Sequence, residues 1–313
     1  MRFRHSLSLA VRGLLAVGLL SFVLLAVIFT TAALPTVLVL EVLGDSGAAT
    51  ATKLNRAILV GTAIALVIAG PGVAWTLIRG IRRERQALLT NSRPAASENG
   101  EDAVSAACRR LSILFDVPEP TVRIRSTATP LAYTTYRPED RLVSISGGKP
   151  TIVVSEGLLA ALSSAERDAV LAHELAHLAN GDLDLATGLL VPVYVATELY
   201  EGPDSAGFDP VGRAFAATAA IGFGVFSRGR ELAADRAAAA TTGNPAALAT
   251  ALERLDDTNG RTRPTADLRD HIAATGAVNV LPIERDSMAG RLGATHPSTA
   301  TRVERLRRLV AAE

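Results

Sequence analysis

A histidine, a glutamate and a second histidine stand at positions 173, 174 and 177, inside the run LAHELAHLAN. Residues four apart on a helix share one face, so both imidazoles can offer a nitrogen to the same ion. Zinc accepts such nitrogens at about 2.0–2.1 Å. Glu174 follows His173 around the helix, where its carboxylate can address a water on the metal without taking a ligand position. A lone histidine in a helix rich in alanine and leucine is usually a packed side chain. Two at this spacing around a glutamate, in a chain with only five histidines, are not explained that way. The chemistry they point to is metal-assisted hydrolysis.

A catalytic zinc takes three protein ligands and leaves one position open. Cysteine cannot supply the third as part of a thiolate cluster, since Cys108 is the single cysteine, and no internal disulfide can form. The candidate lies in SRGRELAADRAAAATTG, where Glu231 and Asp235 are one helical turn apart. Glu231 would ligate, and Asp235 would orient a ligand histidine from behind. Taken alone, the same residues read as a surface helix in which Arg230 and Arg236 pair with acids. His5 and His271 have no partner pattern.

These side chains need a rigid mount. Ser163 and Glu166 have the S-x-x-E form of a capping box and open a helix; Asn180-Gly181 supplies its stop. Upstream, the pattern predicts an amphipathic helix near 102–115 and short strands at 121–125, 131–136, 142–146 and 151–154, punctuated by prolines. Residues 91–100, NSRPAASENG, read as a polar linker. The expected class is α+β and mainly helical, with a small β-sheet beside the metal helix.

Two runs of 22 residues carry no charge, 13–34 and 57–78. Each is long enough to cross a hydrocarbon core of about 30 Å as a helix. The alternative for the first is a cleaved signal, given Arg2, Arg4 and Arg12 ahead of it. Those arginines, and Arg79, Arg82, Arg83 and Arg85 after the second run, outnumber Lys53 and Arg56 between the runs. Both ends of the hairpin therefore belong in the cytoplasm. That gives a cytoplasmic N-terminus at 1–12, a basic juxtamembrane segment and linker at 79–100, and a catalytic domain at 101–313. A further hairpin at 185–200 and 211–226 is left open by composition. Both of its segments cross or neither does, because one crossing would separate Glu231 from His173. The formal net charge of +1 offers nothing to nucleic acid.

The motifs run in an order that resembles the HtpX group of membrane zinc metallopeptidases, relatives of the CAAX prenyl proteases. Two apolar spans come first, then AVLAHELAHLANGD, SRGRELAADRAAAATTGNPAALATAL and a late THPSTATRVERL. The resemblance implies a gluzincin site: one Zn2+ on His173, His177 and Glu231, with Glu174 as general base. It also implies an edge strand that pairs with the substrate backbone, here PLAYTTY with Ala132, Tyr133 and Thr134. That stretch departs from the Asn-Ala-Phe-Ala type of the family and reads otherwise as an ordinary edge strand. His296, before Pro297, would stabilise the transition state or gate the metal. Further implied are a multi-pass address in the cell membrane, tipping 185–200 and 211–226 towards a second membrane hairpin, and a quality-control role. Its substrates would be membrane or misfolded proteins cut at the cytoplasmic side. The competing reading is a non-enzymatic, membrane-anchored scaffold stapled by zinc.

Overall fold

The computed structural model describes residues 18, 32–33, 35–41, 51–95, 101–140, 149–182, 209–261 and 297–311. Helix α1 (Ala51–Leu89) contains the whole uncharged run 57–78 and continues through the basic segment after it, with Pro71 inside. Along the run it exposes Leu59, Val67 and Trp75. Helical residues 35–41 lie against it so closely that a Cβ on Gly61 would stand 2.5 Å from Oγ1 of Thr36. Only glycine permits that approach. Taken over the described residues alone, no helix is long and apolar enough to cross a membrane. Nearly all of 13–34, and several side chains of 57–78, lie outside them.

The far end of α1 is embedded in protein. Arg85 and Leu88 are buried, and Leu88 packs with Leu131, Tyr133 and Val153. Tyr133 and Val153 belong to a four-stranded sheet of β1 (Ser92–Pro94), β2 (Thr121–Arg125), β3 (Ala132–Thr135) and β4 (Thr151–Ser155), in the order β1-β2-β4-β3, and Leu131 just precedes β3. The β2–β4 pair is parallel and the outer pairs are antiparallel. All five residues of β4 are buried because both faces are covered. Ile152 and Val154 join the main core, and Val153 meets the end of α1. Strand β1 lies within the stretch read as a linker; three residues ending in proline carry no alternation from which to recognise a strand. As an edge strand it tolerates Pro94. The strand expected at 142–146 lies outside the described residues.

Helix α2 (Glu101–Phe115) turns Val104, Ala107, Cys108 and Leu111 into the core, at the spacing of one helix face. After the short α3 (Glu156–Ala161) comes α4 (Ser164–Ala179), the metal-motif helix. Its capping box is complete: Ser163 Oγ accepts from the Glu166 amide at 3.5 Å, and Glu166 Oε2 accepts from the Ser163 amide at 2.7 Å. It stops at Asn180, and Gly181 follows at a φ of +67°.

Helix α5 (Asp209–Thr242) carries the second motif and includes 211–226; the segment 185–200 lies outside the described residues. Its Ala234 and Ala238 are fully buried where it packs on α4, a helix that buries Ala172 and Ala176 as completely. Small side chains let the two backbones come near enough for long polar ones to meet between them. Gly243, Asn244 and Pro245 then divide α5 from α6 (Pro245–Arg261): glycine at a φ of +62°, a cap whose Oδ1 accepts from the Ala247 amide at 3.0 Å, and proline at the first helical position. Helix α7 (Thr299–Val310) packs on α5 and α6 through Val303 and Leu306.

Candidate active site

His173, His177 and Glu231 are all buried, and one ligand atom from each lies within 4.8 Å of the others. The two Nε2 atoms are 3.2 Å apart. Glu231 Oε1 is 3.2 Å from that of His177, and Oε2 is 3.5 Å from that of His173. Behind His177, Nδ1 meets Asp182 Oδ2 at 2.7 Å. Behind His173, Asp235 Oδ1 is 3.0 Å from Nδ1, within ion-pair distance but off the line a hydrogen bond prefers.

This pattern assigns the protons. An imidazole whose Nδ1–H faces a carboxylate presents a bare lone pair at Nε2. Two such lone pairs and a carboxylate converge on one point, which only a positive charge can satisfy. The nitrogen–oxygen donor set and the carboxylates behind the rings suit zinc. Burial works against a charge on His173, but the neighbouring carboxylates of Asp235 and Glu231 outweigh it and push the ring's pKa up to about 9.

Arginines back both carboxylates. Arg302 Nε and Nη2 donate to Asp235 Oδ2 and Oδ1 at 2.8 and 2.6 Å. Burial alone would raise the Asp235 pKa; the bonds from Arg302 and the nearness of the His173 ring win and hold it down to about 2. Arg230 stands more loosely, 4.0 Å from Asp182 and 3.8 Å from Glu231. Arg302 Nη1 reaches to 3.5 Å from Glu231 on the other side. Each ligand imidazole is thus followed by an aspartate and then an arginine, and both arginines close on Glu231. Counted as formal charges, the carboxylates of Glu174, Glu231, Asp182 and Asp235 exceed the two guanidiniums by two. A dication brings the cluster to neutrality.

Glu174 is also buried, and Thr134 Oγ1 donates to its Oε2 at 2.8 Å. The structure therefore brings His173, His177, Glu231, Asp235 and Glu174 together and sets β3, an outer strand of the sheet among the described residues, beside them. On that strand Ala132 and Thr134 share the half-buried face, while the Tyr133 side chain turns away and donates to the Leu88 carbonyl at 2.6 Å. His296 lies outside the described residues. Two contributors escaped the sequence reading. Asp182 follows Gly181, whose left-handed backbone turns the chain back on its own helix; the signal was the aspartate after Asn-Gly. Arg302 lies 71 residues beyond Glu231, and no spacing rule joins them.

The sequence pattern of Peptidase family M48 matches residues 106–310. The chain belongs to that family. This M48 chain is 36% identical over 216 residues to Protease HtpX homolog 1 of Streptomyces coelicolor, covering 64% of this chain and 68% of that protein. It is 30% identical over 270 residues to the Protease HtpX homolog of Nostoc sp., covering 80% and 89%. Among solved structures, S. mikatae Ste24p is matched over 82% of this chain and 66% of its own at a TM-score of 0.40 and 15% identity, too loose a likeness to argue from. The M48 chain is a metalloprotease of the HtpX-like kind, which sets aside the non-enzymatic scaffold.

Proposed function

We propose that this protein is a zinc-dependent endopeptidase held in the cell membrane by its N-terminal hairpin, cutting membrane or misfolded proteins at the cytoplasmic side. The observation that carries the zinc and the mechanism is the convergence of two Nε2 lone pairs and Glu231, with Glu174 one residue from the first ligand. His173, His177 and Glu231 would hold the metal. Zinc there supplies a Lewis acid that lowers the pKa of water and polarises the scissile carbonyl.

The chain's own residues do the rest. Glu174 takes the proton of the attacking water and passes it to the leaving amine. Asp182 and Asp235 keep the imidazole rings facing the metal and Nδ1 protonated. The β3 edge offers backbone groups to an extended substrate, aligning its carbonyl with the base. An extended strand of protein or peptide fits such an edge whatever its sequence, which suits a quality-control role.

Membrane anchoring is supported by the uncharged run inside α1, about 33 Å long at 1.5 Å per residue, and by the apolar side chains it exposes. The exposed Arg79, Arg82 and Arg83 at its far end support the cytoplasmic placement. His296 is assigned to the transition state or to gating on the strength of the late motif alone. The deciding experiment is Glu174→Gln in the purified full chain. Cleavage of dye-labelled casein should fall by about 10²–10⁴-fold while bound zinc stays near one per chain; normal cutting by the variant would refute the mechanism.

A further inference from the structure

We infer that Thr134 is a positioning residue for the general base, coupling the substrate-accepting strand to Glu174. The inference rests on the peptidase reading above and adds a residue to it. Thr134 lies in the middle of β3, paired with Ile152 of β4. Here the hydroxyl donates to Glu174 Oε2 at 2.8 Å across 40 residues of sequence.

Three observations make the bond more than a surface contact. Glu174 is buried, so its carboxylate has little water to turn to. Thr134 is β-branched and sits in a regular strand whose partner is Ile152 of the fully buried β4, so its backbone is held and its χ1 restricted. Among the described residues, this is the one side-chain hydrogen bond recorded for the Glu174 carboxylate. It fixes one oxygen and leaves Oε1 as the one free to take a proton. The same strand lends its outer edge to the substrate, so seating the substrate and orienting the base become one event. A base held by a rigid strand need not search for its angle at each turnover, and small misplacements of reacting groups are costly in rate.

The test uses the full chain, solubilised in detergent with zinc bound, cutting dye-labelled casein. Thr134→Val keeps the shape and β-propensity and removes the donor. Thr134→Ser keeps the donor. Glu174→Gln runs in parallel. Thr134→Val should lower kcat by about 10- to 100-fold, with KM within twofold, zinc content unchanged and the same thermal midpoint. Thr134→Ser should restore most of the rate. A Thr134→Val protein with full kcat, or one whose loss lies in KM and is not rescued by serine, overturns the inference while leaving the peptidase reading in place. If Glu174→Gln itself cuts normally, both fall together. Should the valine variant lose zinc or unfold, the serine variant decides: full activity with serine supports the donor, and a deficit like that of valine overturns it.

Discussion

Asp182 and Asp235 do the same work for the two ligand imidazoles by different routes. Asp182 takes a short, aligned bond from its ring, whereas Asp235 is itself gripped by Arg302 and stands off the hydrogen-bonding line of His173. Removing the aligned partner should matter more for the metal. Asp182→Ala is expected to weaken zinc binding by about 10- to 100-fold, read by competition with a fluorescent chelator. Protonation sets a second expectation. In the metal-free protein His173 holds its proton up to about pH 9, and zinc must displace it. Zinc affinity should therefore rise about tenfold per pH unit from pH 7 to 9 and flatten above that. Titration calorimetry in buffers of different ionisation enthalpy should show about one proton released per zinc at pH 7.5. The same groups bound the stability of the metal-free fold. The raised His173 pKa contributes fully below its ordinary 6.5, and that contribution is lost as pH rises through about 9. The lowered Asp235 pKa contributes above its ordinary 3.8, and is lost as pH falls towards about 2. Melting curves of the chelator-stripped protein should fall off on both sides.

Helix α7 closes the site from outside the two metal motifs. It enters through Ser298, whose Oγ accepts from the Thr301 amide, and Arg302, the one cation of the helix that is not exposed, reaches Asp235 on α5. Arg302→Ala would leave Asp235 buried without its main partner, and such loss of one member of a buried pair costs about 3–5 kcal/mol. Urea unfolding should show a loss of that order, and lysine should recover only part, since it cannot form the two-pronged bond. The end of α1 plays the matching part on the other side of the sheet. Tyr133 donates to the Leu88 carbonyl, and Arg85 lies 5.4 Å over the Tyr136 ring, so the edge strand is docked on the helix that leads from the proposed membrane run. The periodicity of α2, the capping box of α4 and three of the four strands could be read from the sequence because each is a local pattern. Strand β1 could not: its only reason to be extended is the ladder it forms with β2.

At the scale of the whole molecule, the sheet is a wall between two helical layers: α2 and α4 on one face, and the end of α1 on the other. The proposed catalytic groups gather where α4, α5 and β3 meet, and α7 seals the far side. If the N-terminal run anchors this body, full-length protein should stay with membranes through an alkaline carbonate wash. A chain beginning at Arg79, which keeps the docking residues Arg85 and Leu88, should move to the soluble fraction with its zinc bound if 185–200 and 211–226 do not cross, and stay with the membrane if they form the second hairpin. Release of the full chain by the wash would refute the anchoring.

Local chemistry made half of this site legible. His173, Glu174 and His177 sit on one helical turn, and helix geometry fixes their relation whatever surrounds them. Glu231 and Asp235 were readable as a pair for the same reason. What decided their meeting was tertiary: two alanine-lined helices packed close enough for a carboxylate to complete the set. Asp182 and Arg302 belong wholly to that level. One depends on a left-handed glycine that reverses the chain, the other on α7 crossing α5, and neither leaves a periodic trace. Thr134 is the clearest case. In sequence it is named only as part of a strand that could pair with substrate; in the fold its hydroxyl donates to Glu174, the proposed base.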